Sequence, residues 1–282
     1  MEEQEKVRLD VLLVRQGLAK SRENAKNCIL EGRVFVNGKK ADKPGTDYPA
    51  DVKIKVVGDG LPYVGRGGLK LEKALQVFPI SLTNAVCMDV GASTGGFTDC
   101  MLQNGAARVY SVDVGTDQLA EKLKNDSRVI SMEKTNIRYA TEELFPDKMD
   151  FVSVDVSFIS LKLVLMPVFS LMKEGASCVC LVKPQFEAGK NAVGKKGVVK
   201  DRREHMKILL QIAEFADSCG FDVCGATYSP IRGPEGNIEY LLYIKKNSAS
   251  DANQKHTRFV TAGFERMTAE AHEMLKNAVP GH

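Results

Sequence analysis

The sequence predicts an α/β protein: a largely parallel, doubly wound sheet with helices on both faces, preceded by a small α+β module. Three observations carry this. From about residue 85, short apolar runs (AVCMDV, ARVYSVDV, MDFVSVDV, ASCVCLVKP) alternate with helical segments, and strands apolar almost throughout belong in parallel sheets covered on both sides. The first 60 residues carry a different, self-contained pattern of two short helices and a hairpin. The length of 282 residues, 44% of them hydrophobic, is ample for a buried core.

In chain order, RLDVLLVRQGL places Leu9, Leu12 and Leu13 at helical spacing and stops at Gly17. Ser21 is suited to cap the next helix, with Asn24 where a capping-box glutamate would stand; Ala25, Cys28 and Ile29 face inward and Gly32 ends it. VFVNGKKA reads as a strand entering a hairpin at Asn37-Gly38, and VKIKVVG, residues 52–58, as a half-buried strand. GDGLPYVGRGG, residues 58–68, reads as a linker in which Tyr63 and Arg66 either touch a ligand or simply pack. The helix LKLEKALQVF follows, ended by Pro79. After the alternating region, FDVCGATYSP and IEYLLYIKK suggest an antiparallel edge, residues 247–258 look loose, and RFVTAGFERMTAEAHEML suits an amphipathic helix. The expected organisation is therefore 1–60, a linker 61–68, a main domain 69–246 and a tail 247–282.

Composition narrows the function. Seven cysteines without a CxxC pair or histidines at zinc spacing point to reduced thiols in a cytoplasmic protein, with no disulfide scaffold and no metal; Cys178 and Cys180 alternate along one strand and read as core. No apolar run approaches a membrane span, and MEEQEKVRLD lacks the apolar stretch of a signal peptide. The net charge of +3 is unevenly spread: residues 6–40 hold nine Lys/Arg against three acids, +6, so the remainder sums to −3. A second basic run spans Lys183 to Arg203. Cationic segments on a near-neutral chain fit a polyanionic partner as well as an ordinary solvated face.

Ligands of doubly wound sheets bind at the carboxyl ends of the strands. There the sequence places Asp89, Asp113, Asp155, Lys183 and, at the start of the final strand, Glu239. The turn Gly91-Ala92-Ser93-Thr94-Gly95-Gly96 has Phe97 where a P-loop needs Lys, and Ser93 where a dinucleotide fingerprint needs Gly. What remains is a turn that lets a ligand approach the backbone, with Asp113 placed 22 residues past Gly91 to bond ribose hydroxyls.

The N-terminal pattern (Arg8-Leu9-Asp10, Leu13, Gly17, Ser21-Arg22, Ala25, Ile29, Gly32, Val34, Val36-Asn37-Gly38) resembles the S4 RNA-binding domain. GRGGLKLEKAL, DVGASTGGFTD, DVSFISL, LVKPQFEAG and GNIEYLLYI together look like the TlyA, or hemolysin A, family, over Arg8 to Ile244. The resemblance implies a Rossmann-like class I methyltransferase of the FtsJ/RrmJ type, using S-adenosylmethionine to methylate ribose 2′-hydroxyls of ribosomal RNA, on cytidines of the small or large subunit. It carries a Lys-Asp-Lys-Glu tetrad onto Lys70, Asp155, Lys183 and Glu239. Lys183 would take the hydroxyl proton, Lys70 would favour its neutral amine and steer phosphate or ribose, and the two acids would orient amine and hydroxyl. Without the resemblance, Lys70 reads as a solvated helix lysine and Glu239 as an edge-strand charge. The implied cofactor residues are Asp89, Gly91, Ser93, Thr94, Gly95, Gly96, Phe97, Asp113, Asn136 and Asp155; those for RNA are Arg8, Arg15, Lys20, Arg22, Lys26 and Arg66. The partners expected are ribosomal RNA or ribosomal subunits, with no DNA, no membrane and a monomeric chain. A non-catalytic rRNA-binding protein and a membrane-active hemolysin are the competing readings; the tetrad argues against the first and the lack of a spanning segment against the second.

Overall fold

Between Pro62 and Tyr63 the chain divides into two units in the computed structural model, which describes residues 6–19, 21–30, 32–57, 61–189, 192–194, 197–247 and 260–276. In the first unit, β1 (Lys6–Arg8) leads into α1 (Leu9–Arg15), whose Leu9, Leu12 and Leu13 form one buried stripe. The helix turns off at Gly17, in the left-handed region at φ +69°. The Ser21 hydroxyl accepts a hydrogen bond from the Asn24 N–H at 3.1 Å, so the serine caps α2 (Arg22–Leu30) as its sequence suggested. β2 (Val34–Val36) and β3 (Lys39–Lys40) are joined by Asn37 and Gly38, both at positive φ, the conformation of a two-residue type I′ hairpin. β4 (Asp47–Pro49) pairs with β1, and β5 (Ile54–Val56) with the free edge of β2. The β1–β4 pair, three residues long, is too short to leave a periodic signal.

The second unit begins earlier than the linker reading allowed. Tyr63 is buried and donates its hydroxyl to Glu72 Oε1 at 3.0 Å, and the Val64 N–H donates to Asp99 Oδ2 at 2.9 Å. α3 already starts at Gly67 and runs to Val77. A Gly- and Pro-rich stretch is thus packed structure from Tyr63 onward, its glycines needed for close contact rather than for freedom.

Next come β6 (Val86–Val90), α4 (Gly96–Gln103), β7 (Arg108–Val112), the short α5 (Glu121–Lys124), β8 (Val129–Met132) and β9 (Met149–Val154). They are followed by α6 (Leu165–Leu171), β10 (Met172–Val182), α7 (Pro184–Glu187), α8 (Arg202–Ser218), β11 (Phe221–Tyr228), β12 (Tyr240–Lys246) and α9 (Val260–Met274). The sheet order is β11-β12-β10-β9-β6-β7-β8, with β12 alone antiparallel to its neighbours. The antiparallel pair predicted at the edge is present, but its second strand is inserted between β10 and β11, so β11 is the edge.

Alternation assigns the two faces. Cys87, Val109, Phe151 and Val179 pack with Leu71 and Ala74 of α3 and Cys100 and Met101 of α4. Met88, Tyr110, Val152, Cys178 and Cys180 face the other way, with residues of α6, α8 and α9. Both faces are covered, which is why the strands read as continuously apolar. The predicted tail helix is seated by Phe264, Met267, Ala271 and Leu275 in that second core. Among the described residues no helix is long and apolar enough to cross a membrane. From β6 the chain moves outward through β7 and β8, then returns to β9 on the other side of β6. That reversal opens a crevice at the carboxyl ends of β6 and β9.

Candidate active site

The turn after β6 fills one side of the crevice. Gly91 sits at φ +86°, and a Cβ there would lie 2.4 Å from the Asp155 carbonyl oxygen. Only glycine lets this turn pass over the chain leaving β9, whose Asp155 N–H still donates to the Val90 carbonyl at 2.9 Å. Gly96 serves a different contact: an added Cβ would meet the Gly68 nitrogen at 2.9 Å and the Gly65 carbonyl at 3.1 Å. The starts of α3 and α4 therefore touch backbone to backbone, and this seats Lys70 over the ends of the strands.

Lys70 is buried, 8% exposed, although helix periodicity alone makes it a solvated lysine. Its Nζ lies 2.6 Å from Glu239 Oε2 and 3.8 Å from Asp155 Oδ2. Lys183 Nζ lies 2.5 Å from Asp155 Oδ1 and donates to Ser157 Oγ at 2.9 Å. Glu239, Lys70, Asp155 and Lys183 thus form a row of alternating charge. Burial favours the neutral amine of Lys70, but Asp155 and Glu239 outweigh it and raise its pKa. Burial likewise opposes ionisation of Asp155, and the two lysines outweigh it, holding the carboxyl below the usual range. The short Lys183 contact engages Asp155 Oδ1 directly, so this buried oxygen is held by the amine that ends the row.

A cavity of about 680 Å³ runs along this row, from the glycine turn to Phe158, Gln185 and Phe186 on the far wall. Gly91, Ser93, Thr94, Gly96, Phe97, Asp89 and Asp155 all border it. Gly95, at φ +93°, starts α4 with its Cα facing Leu119 and Leu123 instead. Asp89 borders the cavity with its oxygens already taken. It accepts from the Thr98 N–H and hydroxyl, at 2.9 and 2.8 Å, and from Ser153 Oγ at 3.1 Å. Burial pushes its carboxyl up to about 6. Asp113 follows β7 and borders a second, narrow hollow, where it accepts from the Ser93 and Gly115 N–H groups, both at 2.8 Å. Asn136 borders neither hollow: its Oδ1 accepts from the Arg138 N–H and Nε, capping the turn Ile137–Tyr139.

Sequence reasoning missed the far wall, although DVSFISL and LVKPQFEAG contain it. Phe158 is 88% exposed and at φ +65°, its ring centroid 5.1 Å from that of Phe186. Glu187 ties this loop down, accepting from Ser160 Oγ at 2.6 Å and the Leu161 N–H at 2.7 Å. An exposed aromatic side chain held in a left-handed backbone is the signal, and no residue count reveals it.

In the first unit, the charge count had offered Arg8 and Arg22 to an outside partner. Both bind Asp10, which is fully buried on α1: Arg8 at 3.0 and 3.1 Å, Arg22 at 3.1 Å. The arginines hold the Asp10 carboxyl down at about 2, against the cost of burial. Their side chains remain 48% and 59% exposed, so each keeps an outward edge. Arg15 and Lys26 are exposed, Lys20 lies outside the described residues, and Arg66 is half-buried at the start of α3 in the second unit.

Comparison with known proteins agrees with this architecture. A family model for FtsJ-like methyltransferases matches residues 63–246, and one for the S4 domain matches residues 7–51. A Bacillus subtilis protein described as a candidate rRNA methyltransferase is 48% identical, over 96% of each chain. TlyA of Mycobacterium tuberculosis, a 16S/23S rRNA (cytidine-2′-O)-methyltransferase, is 43% identical over 85% of this chain and 90% of its own. A solved structure from Streptococcus thermophilus, described as a candidate hemolysin, is 45% identical with a TM-score of 0.77, covering 97% of this chain and 98% of that one. This chain is a member of the TlyA, or hemolysin A, family: an S4 domain followed by an FtsJ-like methyltransferase domain.

Proposed function

We propose that this protein transfers a methyl group from S-adenosylmethionine to the ribose 2′-hydroxyl of a ribosomal RNA cytidine. The observation that carries the reading is the alternating row Glu239–Lys70–Asp155–Lys183 along a cavity that begins at a glycine turn. The turn fits S-adenosylmethionine: at Gly91 the backbone leaves no room for a side chain, and the Asp113 carboxylate keeps acceptor capacity beyond its two bonds. Gly91, Ser93, Thr94, Gly96 and Phe97 would hold it, with Asp113 on its ribose and Gly95 shaping the turn. When bound, it supplies an electrophilic methyl on a cationic sulfur.

The protein's own work is to hold a hydroxyl in line and receive its proton. Asp155, with Oδ1 held by Lys183 and Oδ2 3.8 Å from the Lys70 amine, is suited to orient the Lys183 amine toward the hydroxyl. Lys70, kept charged by two carboxylates, neutralises Glu239 and half of Asp155. It therefore acts through those acids, because Asp155 stands between the two lysines. Lys183 ends the row and is the group we assign to take the proton, as the neutral amine left once it has given up the proton that pairs it with Asp155. Asp89 and Asn136 serve by fixing the turn and a neighbouring loop, since their oxygens are committed to the protein. Arg15, Lys20, Lys26 and the outer edges of Arg8 and Arg22 would contact RNA phosphates through the S4 domain, and Arg66 would do so from the second unit. Such a protein works in the cytoplasm as a monomer on rRNA or ribosomal subunits.

The test uses subunits from a strain lacking the modification, methyl-labelled S-adenosylmethionine, and wild-type against Lys183→Ala protein, read by nucleoside mass spectrometry. Ribose label on a cytidine with wild type alone supports both reaction and residue. Label on a base refutes the ribose mechanism, and no cofactor binding at all favours a protein that only binds rRNA.

A further inference from the structure

The far wall of the cavity holds an acceptor that the row of charges does not use. Gln185 lies two residues past Lys183, on α7, and its Oε1 is buried with no hydrogen-bond partner. The aromatic rings of Phe158 and Phe186, in contact with each other at a centroid distance of 5.1 Å, border the same cavity. Buried amide oxygens are almost always paired. One left open beside two aromatic rings, in a cavity, lacks a donor that a ligand can bring. Asp155 Oδ1 is engaged by Lys183; Gln185 still needs a donor, from a flat group that can lie against the phenylalanines.

We propose that Gln185 is a specificity-determining residue that reads the Watson–Crick edge of an unstacked pyrimidine, its Oε1 accepting from the exocyclic amine of cytosine. This rests on the ribose-transfer reading, because a ribose held at Asp155 and Lys183 brings its own base into the same cavity. Cytosine carries an amino donor at C4, where uracil carries a carbonyl oxygen. Opposite the Gln185 oxygen, uracil sets acceptor against acceptor unless the amide turns over. A site built to bond a donor rejects the analogue lacking it far more strongly than an apolar pocket rejects a change of size. Discrimination of about ten- to a hundredfold is the scale for one such edge contact.

The experiment starts from the cytidine that wild-type protein methylates and uses ribosomal subunits carrying cytidine or uridine there. Initial rates of ribose labelling give a C:U ratio for wild type, Gln185→Leu and Gln185→Glu, with S-adenosylmethionine affinity measured by calorimetry as the folding control. The ratio should be about ten or more for wild type and fall toward one in Gln185→Leu with cofactor affinity retained. It should be kept or widened in Gln185→Glu, whose oxygens cannot turn over into donors. Equal ratios for wild type and Gln185→Leu overturn the inference alone. Absence of ribose label from wild type overturns the ribose-transfer reading and this inference with it.

Discussion

Removing Lys70 tests whether the charge row is held together as its distances imply. In Lys70→Met, Glu239 keeps its place, 1% exposed, but loses the ammonium 2.6 Å away. Breaking a buried pair from one side costs about 3–5 kcal/mol. The least costly escape is for Glu239 to take up a proton. Counted from an ordinary glutamate at about 4.3 and 1.36 kcal/mol per unit, that costs about 3.7 kcal/mol at pH 7 but only about 1 kcal/mol at pH 5. The variant should therefore lose about 3–4 kcal/mol relative to wild type in urea unfolding at pH 7, and about 2–3 kcal/mol less than that at pH 5. Lys70→Met/Glu239→Gln removes the charge itself and should recover most of the loss at pH 7. In the wild type, the raised pKa of Lys70 contributes stability below the ordinary lysine value that is lost as pH rises through the raised one. The depressed pKa of Asp155 contributes stability above the ordinary carboxylate value that is lost as pH falls through the depressed one. A Lys70→Met penalty under 1 kcal/mol at pH 7, or one equal at both pH values, refutes the buried-pair argument.

Other perturbations separate holding from binding. Gly91→Ala drives a methyl into the Asp155 carbonyl at a positive φ and should abolish S-adenosylmethionine binding in calorimetry, whereas Gly189→Ala, with nothing within 4 Å of its Cβ, should leave it intact. Lys26→Ala should lower the slope of log affinity for rRNA against log salt by about one without changing thermal stability. Arg8→Ala should lower stability as well, because Asp10 loses a partner. Asp10, held down at about 2, contributes stability above about pH 4 that is lost toward pH 2; the full shift is worth about 2 kcal/mol, nearer 1 kcal/mol with half-exposed arginines. His205 donates Nε2–H to the Val199 carbonyl at 2.9 Å, so the single lone pair on its Nδ1 is the acceptor that faces both the Tyr240 hydroxyl at 2.7 Å and His272 Nε2 of α9 at 3.0 Å. Burial pushes His205 down to about 4, and stability present above pH 6.5 should fall by about 2 kcal/mol between pH 7 and pH 5, with a flatter profile in His205→Gln. Unchanged urea midpoints across that range would contradict the neutral histidine pair.

The course of the sheet was legible because both faces of each strand are covered, and that covering writes itself as unbroken apolar runs. The rim was legible for the same reason: Asp155, Lys183 and Glu239 stand one residue outside their strands, where the apolar pattern stops and the side chain is released into the crevice. Asp89 looks equivalent on paper but is still inside β6, on the same face as Cys87, and that parity turns it toward Thr98 on α4. One residue of register therefore separates an acid that faces the crevice between charged neighbours from an acid that caps a helix. Lys70 was legible only through resemblance to a family, since its burial depends on Gly68 and Gly96 admitting backbone contact across 28 residues of chain. Arg8 and Arg22 fail in the opposite direction, counted as available charge while a buried aspartate two residues and twelve residues away binds both. In each case the composition states how much charge a segment carries, and the geometry decides how much faces outward. It follows that salt-dependence measured with Lys26→Ala reports on RNA contact alone, whereas the same measurement with Arg8→Ala or Arg22→Ala mixes contact with folding and must be corrected by the stability of each variant.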